Sequence, residues 1–246
     1  GQASKGGEHA NGVHVTDDIV IPQELLDAHH DGNLVIFVGA GVSMSPPSSL
    51  PSFKELTKKL AEMACVPFCD EDGVDENGTV RAQEPKEFDR FLGKMPKNFD
   101  LRRHAMKLVS PGESLPNSTH GAVMNLADSS GCLRVVTTNY DDHLAGAASE
   151  ARIDPPRRWD APLLPQGDDF EGLVHLHGST RGDPQGVVLT DKDFGEAYLS
   201  NGWATRFLVP MFRRFVVVFI GYSYNDLIMR YLTRGLSSEV RCYVMM

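Results

Sequence analysis

Three observations predict a doubly wound α/β domain with a mostly parallel sheet and a helical insertion. Unbroken apolar runs occur at 34–38 and 215–220, the pattern of strands covered on both faces, and largely apolar strand segments at 133–136 and 173–176. Helix-period segments stand between these runs and supply the crossovers that parallel strands need. Each run is followed at once by a cluster of small and polar residues, at 39–43, 137–141, 177–180 and 221–226. Open α/β sheets bind ligands outside the carboxyl ends of their strands, so four such clusters converge on one site.

Taken in order, residues 1–15 are rich in Gly, His and Ser and read as a disordered tail, with the domain at 16–246. A short helix is expected at 21–30, with Pro22 in its first turn. After the run 34–38, Gly39-Ala40-Gly41 turns tightly, and small residues there let backbone N–H groups approach a phosphate. It is not a dinucleotide fingerprint, which wants a third glycine near Met44 and an acid at the tip of a second strand. Nor is it a P-loop, because Gly-Lys-Ser/Thr is absent.

Ser52-Phe-Lys-Glu55 is a capping box that opens a helix running to about Cys65. Residues 66–100 turn acidic and hold one short helix at 85–92, and helical patterns follow at 101–109 and 117–128. Together 66–128 read as a helical insertion beside the sheet. The cluster 137–141 opens a helix to about Glu150. Arg213-Arg214 belongs in the last turn of a helix. Residues 240–246 read as a last strand, so a longer protein is expected to continue past Met246.

Of 246 residues, 41% are hydrophobic and 23% charged, with a formal net charge of −9. That charge argues against a broad nucleic-acid footprint. No apolar run approaches the roughly 20 residues of a membrane helix. Cys65, Cys69, Cys132 and Cys242 lack any Cys-x-x-Cys pair, which favours buried, reduced thiols in the cytoplasm and no structural zinc.

Each cluster residue has a plainer reading. Asn139 fits as a cap of the following helix, with Asp142 at its third position, and Ser223 or Asn225 fits the same role later. His177 fits as a satisfied core histidine. His175 and His177, two apart on a strand, would face the same side. No histidine follows them, so His175 is expected to pack beside or support the site residues, and no metal is expected.

The motifs Gly-Ala-Gly-Val-Ser43, Leu50-Pro-Ser-Phe53, Thr137-Thr-Asn-Tyr-Asp141, His177-Gly-Ser179 and Gly221-Tyr-Ser-Tyr-Asn-Asp226 come in an order that resembles the sirtuin-like superfamily. They are most similar to its prokaryotic NAD-consuming branch from anti-phage defence proteins, as is Val188-Leu-Thr-Asp-Lys-Asp-Phe194. The resemblance covers about 34–235 and implies a Rossmann-like fold.

It further implies that Gly39, Ala40, Gly41 and Ser43 line the NAD phosphates, and that Asn139 and His177 are the catalytic pair. Asp141 would support the asparagine loop, and Gly221, Ser223 and Asp226 would hold the adenosine side. Phe53, Thr138, Gly178 and Ser179 complete the implied NAD-binding set. The chemistry expected is NAD hydrolysis to nicotinamide and ADP-ribose, with an amide to hold a water or ribose hydroxyl and a near-neutral histidine as base. Deacylases of the family read Pro-Asp-Phe-Arg and carry a zinc-binding cysteine quartet; here Pro51-Ser-Phe-Lys54 stands instead and the quartet is missing. A deacylase or ADP-ribosyltransferase is therefore an alternative, as is a non-catalytic module sensing NAD or ADP-ribose. A homo-oligomer or a sensor subunit is the expected partner.

Overall fold

The computed structural model of the protein describes residues 12–16, 19–69, 86–222 and 241–245. An antiparallel hairpin of β1 (Gly12–Thr16) and β2 (Ile19–Pro22) comes first. Residues 12–15, expected in a tail, thus lie in a strand, and β2 takes Ile21 and Pro22 from the expected helix. Both segments are rich in β-branched residues, which favour extended backbone. Helix α1 (Gln23–His30) begins only after Pro22.

Six strands form the main sheet: β3 (Leu34–Val38), β4 (Arg134–Thr137), β5 (Arg158–Asp160), β6 (Gly172–His175), β7 (Val216–Ile220) and β8 (Cys242–Met245). Their spatial order is β5-β6-β4-β3-β7-β8, and every neighbouring pair is parallel. The fold is Rossmann-like α/β. Strand β3 is central, with β4 on one side and β7 on the other, so the order of strand addition reverses across it. That reversal opens a crevice at its carboxyl end.

Alternation along β3 divides the core in two. Val35 and Phe37 pack with Val174, Val217 and Phe219 under α9 (Trp203–Arg214), which contributes Phe207, Leu208, Met211 and Phe212. Leu34, Ile36 and Val38 face the other way, against Ala28 of α1, Val123, Met124 and Ala127 of α6 (Ser118–Ser129), and Leu144 and Ala147 of α7 (His143–Glu150). Phe37 and Phe219 stack at 5.1 Å. Each side chain of this kind stabilises by about 1.5–3 kcal/mol when fully buried. Arg213 and Arg214 do lie in the last turn of α9, where cations suit the exposed carbonyls.

A third cluster joins α3 (Phe53–Met63), α4 (Phe88–Gly93) and α5 (Leu101–Leu108) through Leu56, Leu60, Leu92, Ala105 and Val109. Tyr140, Val187 and Leu189 tie it to the sheet's carboxyl edge. The capping box of α3 is present: Ser52 N–H donates to Glu55 at 2.8 Å, and Ser52 Oγ accepts from Glu55 N–H at 3.2 Å. Helix α6, the last of the span 66–128, packs against the sheet through Val123, Met124 and Ala127. Between β6 and α9 come a 3-10 turn (Pro184–Gly186), α8 (Asp191–Gly195) and a π-helical turn (Glu196–Ser200). One short helix, α2 (Gly41–Met44), follows the glycine turn directly.

The cysteines depart from expectation. All four are free, but Cys65 and Cys242 are exposed and Cys69 and Cys132 only half-buried. Cys65 sits just past α3 at φ +54, and Cys242 on the sheet's outermost strand, so neither position is enclosed. Among the described residues, no helix is long and apolar enough to cross a membrane.

Candidate functional site

Parallel register aligns Val38, Thr137, His175 and Ile220 in one row at the carboxyl edge. The residues that follow each strand therefore leave the sheet side by side. They frame a cavity of about 780 Å³, within the range of roughly 300–1,000 Å³ usual for small-molecule sites. Ala40, Gly41, Ser43, Phe53, Thr138, Asn139, Asp141, His177 and Gly221 all line it. Gly39, Gly178 and Ser179 do not, and Ser223 and Asp226 lie outside the described residues. Asn139 and His177, 38 positions apart in sequence, thus face one space.

The glycine turn is shaped by the neighbouring loop. Gly39 N–H donates to Ile220 O and Gly41 N–H to Gly221 O, each at 2.9 Å. A Cβ on Gly41 would sit 2.8 Å from Gly221 O, and one on Gly39 2.7 Å from both that oxygen and the Tyr222 ring. Gly221 itself has φ +73, and its Cβ would meet Val42 N at 2.7 Å. These glycines let two backbones touch, and two of the N–H groups expected to meet a phosphate are already engaged. Tyr222 closes the contact, its ring edge-on to Phe37 and its hydroxyl 2.7 Å from Thr138 Oγ1.

Asn139 does not cap the next helix; Asp142 holds that position. Its Nδ2 donates instead to Gly39 O and Ser43 Oγ, both at 3.1 Å. Both amide hydrogens are thereby committed, and Asn139 lies in the wall of the cavity. The backbone is fixed as well, since Asn139 N–H donates to Thr137 Oγ1 at 3.0 Å and His175 Nδ1 lies 3.2 Å from Asn139 O. Asp141 ties the same loops together: Oδ2 accepts from Ser43 Oγ at 2.9 Å and Oδ1 from His143 N–H at 3.0 Å.

Among the described residues, His175 and His177 share no side-chain hydrogen-bond partner. Strand β6 ends at His175, and His177 turns toward Phe194, edge-on at 5.1 Å, with Nε2 2.9 Å from Tyr198 Oη. Burial lowers the His177 pKa to about 3, so the near-neutral value expected for a base is not met. Burial lowers His175 too. Gly178, at φ +80, backs onto Gly186 and Val187, and Ser179 Oγ accepts from Arg181 and Gly182 N–H groups. Both shape the loop behind His177. Among the described residues no group of three or more His, Cys, Asp or Glu is placed to hold a metal ion.

Sequence reasoning missed His120, fully buried in α6, with Nε2 3.0 Å from Ser43 Oγ. The available signal was Asn117-x-x-His120, a capping-box spacing with an imidazole at the third position. Tyr198 was missed because nothing in a π-helical turn announces a partner for a distant histidine.

The asparagine and the histidine stand over one crevice at the switch point of a parallel sheet, the place where open α/β sheets bind ligands. Residues 133–241 match the family model of the SIR2-like domain, which supports placing the chain in the sirtuin-like superfamily. SIR2-like domains are typically NAD-dependent enzymes, so the match implies an NAD-related function. The chain is also similar to the uncharacterized protein y4cA of Sinorhizobium fredii, at 28% identity over 234 residues. That alignment covers 89% of this chain and 19% of the relative, so the chain spans about a fifth of that protein's length.

Proposed function

We propose that this domain hydrolyses NAD to nicotinamide and ADP-ribose, as the NAD-depleting effector of a bacterial anti-phage system. The observation that carries the reading is the anchoring of Asn139, whose Nδ2 is held by Gly39 O and Ser43 Oγ in the wall of the cavity it shares with His177. An amide oxygen in that place accepts from a ribose hydroxyl or from the attacking water without adding a charge. The bond between ribose C1′ and the nicotinamide nitrogen breaks, the electron pair leaves with the neutral pyridine, and water oxygen bonds to C1′. The water's spare proton passes to His177 and on to solvent, with the Tyr198 hydroxyl at 2.9 Å as the neighbouring group. A histidine this depressed is a weak base, so its larger share is to orient the nucleophile. Zinc plays no part in this reading. The defence role rests on the order of motifs, and activation by self-assembly or a sensor goes with it.

Purified protein mixed with NAD, with free nicotinamide followed over time, tests the reading. The expected result is release that falls about a hundredfold or more in His177→Ala. Tight NAD binding with no nicotinamide, also after assembly is promoted at high protein concentration, would point to a sensing module.

A further inference from the structure

We propose that His120 is a positioning residue for Asn139, acting through the hydroxyl of Ser43. The inference rests on the reading of the cavity as a site of NAD cleavage, and it concerns a residue on α6 that does not line that cavity. Ser43 Oγ, buried, has three neighbours: Asp141 Oδ2 at 2.9 Å, His120 Nε2 at 3.0 Å and Asn139 Nδ2 at 3.1 Å. A hydroxyl has one proton and two lone pairs. A carboxylate only accepts, so the proton belongs to Asp141. The two lone pairs are then filled by the Asn139 amide and by a proton on His120 Nε2. In this arrangement every capacity of Ser43 is used and Asn139 has one orientation.

Asn117 sets the tautomer. Its backbone N–H lies 3.1 Å from His120 Nδ1 and donates to it, which leaves the ring proton on Nε2. Asn117 Oδ1 is also 2.9 Å from Nδ1, a contact that becomes a hydrogen bond only with the proton there. That alternative would set His120 and Asp141 competing for the single Ser43 proton, and a charge-assisted bond to carboxylate is the stronger. Asn117 Oδ1 is otherwise taken by Thr119 and His120 N–H groups, while its Nδ2 donates to Val42 O at 2.7 Å. The start of α6 is thereby tied to the glycine turn that Asn139 also grips. Around the imidazole stand two further titratable groups, Asp141 across Ser43 and His143, whose ring meets it edge-on at 5.3 Å. Burial lowers the His120 pKa to about 4, so the ring is neutral at pH 7.

The test joins nitrogen NMR of the whole chain with kinetics of two variants. At pH 7, imidazole 15N shifts should show a protonated Nε2 and a bare Nδ1 on His120; a proton on Nδ1 overturns the proposal. His120→Leu should lower kcat by about tenfold or more with little change in NAD affinity, and His120→Gln, whose amide reaches Ser43 as Nε2 does, should restore most of it. Ser43→Ala should add little to the His120→Leu loss, because both act along one path. Equal kcat in folded Leu and Gln variants would leave His120 a packing residue. If the parent releases no nicotinamide, it is the NAD-cleaving reading that falls. Positioning is then decided by the tautomer and by the Asn139 side-chain amide signal, shifted in the Leu variant and restored in the Gln variant.

Discussion

Asn139 and Ser43, 96 positions apart, meet at 3.1 Å through a side-chain amide and a hydroxyl that also binds Asp141. The first and second loops at the carboxyl edge are thus joined by side chains as well as by the sheet. Ser43→Ala should therefore impair turnover by removing this link between the two loops. Loss of a buried hydrogen-bonding hub costs about 1–3 kcal/mol, because Asp141 and the Asn139 amide lose a partner. Thermal unfolding and nicotinamide release on one preparation check both effects. A Ser43→Ala protein of parental stability and rate would show that the hub does nothing.

Gly41→Ala should weaken NAD binding and stability together. The added carbon falls 2.8 Å from Gly221 O, so the two loops must separate. Gly221→Ala adds a left-handed backbone at φ +73 to a similar clash, and should cost about 1–3 kcal/mol. Calorimetric NAD titration alongside melting curves tests the pair. Weaker binding with unchanged stability would return the glycine to a direct role at the phosphate.

The pH dependence of kcat/KM separates a buried neutral histidine from an ordinary one. With the His177 pKa near 3, the free enzyme keeps this group unprotonated from pH 8 down to 5, and the profile should be flat there. A fall of about tenfold per pH unit below 6.5 would show a base of ordinary pKa in the working site.

Stability should follow the opposite pattern. His120 and His177 have folded pKa values of about 4 and about 3, against 6.5 when unfolded. Between these values the unfolded chain binds more protons, so their stabilisation is whole above pH 6.5 and is lost as pH falls toward the folded values. From neutral pH to pH 5 the loss is about 2 kcal/mol for each histidine. Urea unfolding at pH 7 and 5 measures it, and a midpoint that does not fall on acidification contradicts the burial of these rings.

Much of the fold was readable because unbroken runs such as 34–38 and 215–220 admit few other structures. The small β5 strand and the short turns between Leu189 and Trp203 were not, since a three-residue strand and a π-helical turn leave no period to detect. At the site, Asn139 and His177 were found by following where strands end. Their partners were hidden because His120 and Tyr198 reach them across long sequence separations. The burial that depresses the His177 pKa is likewise a property of packing. The glycine turn was legible as a place of close backbone approach, and the neighbour it meets in the fold is Gly221.

NAD affinity and nicotinamide release measured on the parent and on Asn139→Ala test the central claim most directly. The account predicts that the parent cleaves NAD, while the variant binds it with similar affinity and releases nicotinamide at least about a hundredfold more slowly. An Asn139→Ala protein that cleaves NAD at the parental rate would contradict it.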